Sequence, residues 1–157
     1  MSSTEPAAAR GYEISSDPAR LDVEKIHAYL TRSYWSPGIP RDIVERALRH
    51  SLCFGVYETA SGAQVGFARV VTDYATFAYL CDVYVLEEHR GAGLGKALMR
   101  EVMSDPALTG ARRVMLATRD AHGLYRLSGF IEAGRAGNLM EIVRPDIYAA
   151  KVSTGPA

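Results

Sequence analysis

Arg90, Gly91, Ala92, Gly93, Leu94, Gly95 and Lys96 lie between an apolar run, Phe77 to Leu86, and a segment, Ala97 to Met103. The run reads as a strand, and the segment places Leu98, Val102 and Met103 on one helical face. A strand that empties through alternating glycines into a helix gathers unpaired backbone N–H groups around one point. The helix dipole adds partial positive charge there, which suits a phosphate or pyrophosphate. Three phosphate loops compete, and spacing separates them. A P-loop needs a glycine five residues before its Gly-Lys pair and Ser or Thr after it, where this chain has Arg90 and Ala97. A dinucleotide fingerprint needs its third glycine at Lys96 and opens an early βαβ unit, whereas this loop follows more than half of the chain. The third pattern, Arg-x-x-Gly-x-Gly, is met by Arg90, Gly93 and Gly95. A turn that merely joins strand to helix is the alternative, but three glycines in five residues cost stability.

The elements around the loop are legible from periodicity. Tyr12 and Ile14 alternate with polar residues as a short first strand. Asp17-Pro18 and Asp22 are turn or cap signals before a helix bearing Val23, Ile26 and Leu30. After Ser36 to Pro40, Ile43, Val44, Ala47 and Leu48 mark a second helix. Leu52 to Tyr57 and Val65 to Val71 read as a hairpin around Thr59 to Gly62. Pro106 and Gly110 break the chain before a buried strand, Val114 to Ala117. A short helix, Leu124 to Leu127, ends at Gly129, and Leu139 to Val143 is expected to close the sheet.

Composition narrows the function classes. The 157 residues suit one domain, 1–157, with loose tails at 1–10 and 151–157. Eighteen basic and eighteen acidic side chains balance, so nothing suggests nucleic acid or an anionic membrane as partner. Cys53 and Cys81 form neither a metal pattern nor a disulfide framework, so no metal and a reducing, cytoplasmic setting are expected. No apolar run approaches membrane-spanning length.

Two motifs, in this order of elements, resemble the GCN5-related N-acetyltransferases (GNAT). One is Val83-Tyr84-Val85 followed by Arg90 to Lys96; the other is Leu124-Tyr125-Arg126-Leu127-Ser128-Gly129-Phe130. The resemblance runs from Tyr12 to Val143. It implies a mixed α/β (α+β) fold, with a central, mostly antiparallel sheet flanked by helices. It implies an acetyl-CoA-dependent enzyme that acetylates a primary amine of a small molecule or peptide directly. In that reading the main chain of Val83, Tyr84 and Val85 holds the pantetheine arm. The backbone of Gly91, Ala92, Gly93, Leu94, Gly95 and Lys96 holds the pyrophosphate, with Arg90 and Lys96 adding charge. Tyr125 protonates the departing thiolate. Val83 and Val85 are equally strand core, Lys96 equally a solvated cation, and Tyr125 alternatively a packing aromatic. Thr118 stands where the family often carries a cofactor-contacting Asn and reaches less far. Asp120 is expected to cap the short helix. A non-catalytic acyl-CoA-binding regulator is the alternative function.

The acceptor amine must lose a proton before it attacks. Asp82 is the candidate base, because period-two alternation puts it with Leu80 and Tyr84 among apolar side chains. A structural pair with Arg69 is the alternative, and Glu87, Glu88, His89, His122 or a water relay are others. Tyr34 and Trp35, in a Pro/Gly-stiffened loop, could wall a pocket for an apolar or aromatic amine or stack on a cation. Trp35 could equally plug the core. Phe67, Arg69 and Tyr79 would complete the cleft, Arg69 either meeting a substrate carboxylate or pairing with Asp73 or Asp82. The identity of the amine and the oligomeric state, a homodimer included, stay open.

Overall fold

The computed structural model describes residues 10–152. Five strands lie in chain order in one sheet: β1 (Tyr12–Ser15), β2 (Leu52–Glu58), β3 (Gln64–Thr72), β4 (Phe77–Val85) and β5 (Arg113–Leu116). The first four run antiparallel, and β5 runs parallel to β4. A parallel neighbour demands a crossover. Here α3 (Leu94–Ser104) and the short α4 (Pro106–Thr109) supply it. Between β1 and β2 come α1 (Val23–Thr31) and α2 (Arg41–Arg49); α5 (His122–Arg126) and α6 (Ile147–Val152) follow β5. None of the described helices is long and apolar enough to cross a membrane.

Local chemistry sets the ends of these elements. The Asp22 carboxylate accepts from the Lys25 amide at 3.1 Å and caps α1. Asp105 does the same for α4 through Ala107, so the break expected at Pro106 restarts as one helical turn. Side-chain alternation along the strands then divides the core in two. Phe54, Val56, Ala68, Val70, Ala78 and Leu80 pack with Leu94, Leu98, Met99 and Val102 of α3. On the other face Cys53, Phe67 and Tyr84 pack with Ile26 and Leu30 of α1 and Val44 and Leu48 of α2.

One residue breaks the alternation and thereby shapes the site. Arg69 pairs with Cys81 but Phe67 with Tyr84, so β4 carries one residue too many opposite β3. Asp82 absorbs the bulge in the left-handed region, at φ 54°. Asp tolerates that conformation better than most side chains. The parity of the strand flips there. Leu80 faces α3 and Tyr84 faces α1 and α2, so the expectation that Leu80, Asp82 and Tyr84 share a face is corrected.

The expected closing strand, Leu139 to Val143, is not a strand. Residues 131–146 cross the surface with no sheet pairing, and a 3-10 turn at Ala136–Asn138 diverts the chain just before Leu139. Apolar content alone supplies no ladder partner. The expected tails lie outside the described residues apart from Arg10 and residues 151–152, which end α6.

Candidate active site

The β4–β5 ladder ends at Leu80 and Leu116, so Cys81 to Val85 have no strand beside them on that side. Val83, Tyr84 and Val85 therefore border an open gap between diverging strands. At its end the chain makes a 3-10 turn (Glu87–His89) and then a loop in which Gly91 and Gly93 adopt φ 87° and 74°. Gly93 is the cap residue of α3 and offers no side chain to the helix terminus. Among the described residues, no hydrogen bond within the chain engages the amides of Gly91 to Lys96. A run of free backbone donors at a helix N-terminus suits an anionic group such as a phosphate.

Arg90 leans back from this loop. Its Nε donates to the Val85 carbonyl at 3.0 Å and its Nη2 to the Tyr29 hydroxyl at 3.4 Å. It ties the loop to the gap and to α1 while keeping its charge beside the free amides. His89 turns the other way, sharing a 2.8 Å hydrogen bond with the Tyr12 hydroxyl, which removes it from the gap. Thr118 is committed locally, because its hydroxyl accepts from the Ala121 amide at 3.0 Å. The turn before α5 is thus held by Thr118 rather than by the expected Asp120.

Tyr125 projects from α5 and meets Phe130 edge-on, with ring centroids 6.0 Å apart. Burial, with smaller contributions from Tyr34 and Asp120, pushes its phenol above the ordinary tyrosine value. The hydroxyl therefore stays protonated through neutral pH.

The α1–α2 loop carries the aromatic pair. Tyr34 is 52% and Trp35 37% exposed, packed edge to face at 5.0 Å, so Trp35 is not a core plug. The Trp35 indole N–H donates to Asp82 Oδ1 at 2.8 Å, and Arg69 Nε donates to Asp82 Oδ2 at 2.7 Å. Arg69 also reaches the Ser51 hydroxyl at 3.1 Å. The Asp82 side chain is only 8% exposed. Of the partners considered for Arg69, the structure supplies Asp82. Asp73 instead accepts from the amides of Ala75, Thr76 and Phe77 in the β3–β4 turn. Phe67 is fully buried against Tyr84, so it backs the cleft wall without presenting a face to a ligand. Tyr79 is half-buried on β4.

Two residues here carry no motif that sequence reasoning used. Tyr29 stacks on Tyr84 at 3.8 Å and lies 6.2 Å from Trp35. Its only sequence signal is its place one turn after Ile26 on the buried stripe of α1. The Arg119 guanidinium rests 3.8 Å from the Tyr34 ring centroid, bridging the α1–α2 loop and the β5–α5 connection.

Neither cysteine is a ready nucleophile. Burial pushes the Cys53 thiol up to about 12 and the Cys81 thiol up to about 11, with Arg69 opposing both. Alkylation with iodoacetamide at pH about 7.5 should label neither and leave activity intact. Stoichiometric labelling would show instead that one of the two thiols is accessible and reactive.

A family model described as the acetyltransferase (GNAT) family matches residues 13–130. A crystal structure from Xanthomonas campestris pv. campestris, described as belonging to the GNAT family, is 50% identical. It superposes with TM-score 0.84 over 88% of this chain and 96% of that one. A Gibberella zeae protein named as an acetyltransferase is 38% identical over 135 residues, 73% of this chain and 75% of that protein. Chloroplastic serotonin N-acetyltransferase 2 of Oryza sativa subsp. japonica is 34% identical over 130 residues, covering 78% of this chain and 63% of that protein.

Proposed function

Because the chain belongs to the GNAT acetyltransferase family, we propose that it moves the acetyl group of acetyl-CoA directly onto a primary amine of a small molecule or peptide. The observation that carries this reading is the run of free amides from Gly91 to Lys96 beside the gap between β4 and β5. Acetyl-CoA supplies a thioester carbonyl as electrophile. The amides of residues 91–96 hold its diphosphate, with Lys96 and Arg90 adding positive charge. The exposed main chain of Val83, Tyr84 and Val85 pairs with the pantetheine amides. Thr118 contributes its remaining hydrogen-bonding capacity at the same gap.

Asp82 draws the acceptor ammonium by charge and takes its proton. Each carboxylate oxygen keeps a lone pair beyond those used by Trp35 and Arg69. The amine nitrogen then bonds to the acetyl carbon, the carbon–sulfur bond breaks as the Tyr125 hydroxyl donates its proton to the departing sulfur, and the second proton lost by the nitrogen returns the phenolate to phenol through solvent. Tyr34, Trp35 and Tyr79 wall the acceptor, with Phe67 behind them and Arg69 holding Asp82. Exposed aromatic faces suit an apolar or aromatic amine, and the rice relative is named for serotonin, an aromatic amine. The whole chain works as one domain, in a reducing cytoplasmic setting where Cys53 and Cys81 stay free.

Isothermal titration with acetyl-CoA, followed by thiol release against a panel of aromatic amines, aliphatic amines and peptide N-termini, tests the proposal. Binding heat and release that depends on one amine class are expected. Absence of any heat at roughly millimolar coenzyme overturns it.

A further inference from the structure

Trp35 stands on an exposed loop, yet its indole N–H meets Asp82 in a short hydrogen bond. A side chain in so open a place keeps one rotamer only where its neighbours hold it. The loop backbone is stitched down. The buried Ser33 hydroxyl donates to the Leu30 carbonyl at 2.7 Å and accepts from the Ser36 amide at 3.1 Å. The Gly38 amide donates to the Thr31 carbonyl at 2.8 Å, and the His27 ring to the Ile39 carbonyl at 3.0 Å. These bonds fix where the Trp35 side chain starts but not where its ring points. Two aromatic rings flank it, and Tyr34 is itself exposed. Tyr29 is the anchored one. It is half-buried on α1 and lies nearly parallel to the buried Tyr84 ring, with 10° between their planes. The Arg32 guanidinium rests 4.7 Å from its centroid, and Arg90 reaches its hydroxyl. Its ring meets Trp35 at a 44° tilt, at a separation typical of aromatic pairs.

We propose that Tyr29 is a positioning residue for acetyl transfer: its ring holds the Trp35 indole in the rotamer that hydrogen-bonds Asp82, which aims the carboxylate at the acceptor amine. The proposal rests on the acetyltransferase reading above. Arg69 fixes one oxygen of Asp82 from the sheet and Trp35 fixes the other from the loop. With both in place the carboxylate cannot swing, and its remaining lone pairs keep one direction. Release Trp35 and only the Arg69 side stays fixed. Tyr29 acts through Trp35 rather than on the reacting atoms.

The chain has one tryptophan, so a nitrogen–proton NMR spectrum carries one indole N–H signal. Tyr29→Leu should speed exchange of that proton with water by at least about tenfold, while Tyr29→Phe, which keeps the ring, should stay within about threefold of wild type. At saturating acetyl-CoA, Tyr29→Leu should lower kcat/KM for the amine by about tenfold with the acetyl-CoA Kd changed less than about threefold, and Tyr29→Phe should restore most of the loss. In an Asp82→Asn background, Tyr29→Leu should cost less than about threefold more, because its effect passes through that carboxylate. An indole signal indifferent to Tyr29→Leu overturns the proposal. So does an unchanged kcat/KM for the amine, or full additivity with Asp82→Asn. A wild type that binds no acetyl-CoA in calorimetry fails the acetyltransferase reading instead, and the indole signal still decides whether Tyr29 holds Trp35. If circular dichroism shows Tyr29→Leu unfolded, Tyr29→Met takes its place. If neither folds, the wild type decides: a slowly exchanging indole with nuclear Overhauser contacts to the Tyr29 ring supports the hold, and the lack of either overturns it.

Discussion

Tyr125→Phe is expected to slow acetyl transfer by about 10²- to 10³-fold while changing the Kd for acetyl-CoA less than about threefold. Only the hydroxyl is lost, and the ring keeps its edge contact with Phe130. Single-turnover rates and calorimetric titration separate the two effects. Burial holds the phenol above its ordinary value, and the working form is the protonated one. Its contribution is therefore complete at neutral pH and lost only as pH rises past about 10. Any change in rate below pH about 9 belongs to groups other than this phenol, the acceptor amine first among them, and the variant should keep it. An unchanged rate would make Tyr125 a packing residue. A lower rate accompanied by weaker coenzyme binding would point to distortion of α5.

The glycine-rich turn before α3 and the helical turn carrying Tyr125 were readable because their signals are local. Alternating glycines before a helix announce free amides wherever the rest of the chain lies, and β2, β3 and β4 follow from period two. Asp82 shows where that logic stops. A polar residue in an apolar strand was visible, but its left-handed backbone was not, and the resulting bulge moved Tyr84 to the other face. Trp35 was visible as an aromatic in a stiff loop, yet only tertiary contact decides whether its N–H meets a carboxylate or a core. Tyr29 and Arg119 had no periodic or motif signature beyond ordinary helix and loop positions. Leu139 to Val143 had the composition of a strand, but pairing depends on a neighbour that composition cannot supply.

Asp82 and Arg69 should behave as a coupled pair in stability and separate in chemistry. Removing one partner of a fully buried ion pair costs about 3–5 kcal/mol. Arg69 keeps 20% side-chain exposure, which screens the stranded charge, so Asp82→Ala should cost about 2–3 kcal/mol. Adding Arg69→Met should recover part of that loss, with a coupling of about 1–2 kcal/mol in denaturant titrations. Additive losses would mean that the 2.7 Å contact carries little energy. Asp82→Asn cannot take a proton and keeps one acceptor oxygen, enough for either the Trp35 N–H or the Arg69 guanidinium but not both, so its kinetics are read at a temperature where circular dichroism shows the fold retained. At pH about 7 its kcat/KM for the amine should fall about 10- to 100-fold. The deficit should shrink as pH approaches the amine's own pKa, where the acceptor is already neutral and needs no base. A deficit that stays constant with pH would restrict Asp82 to holding Trp35 and Arg69, leaving proton removal to solvent.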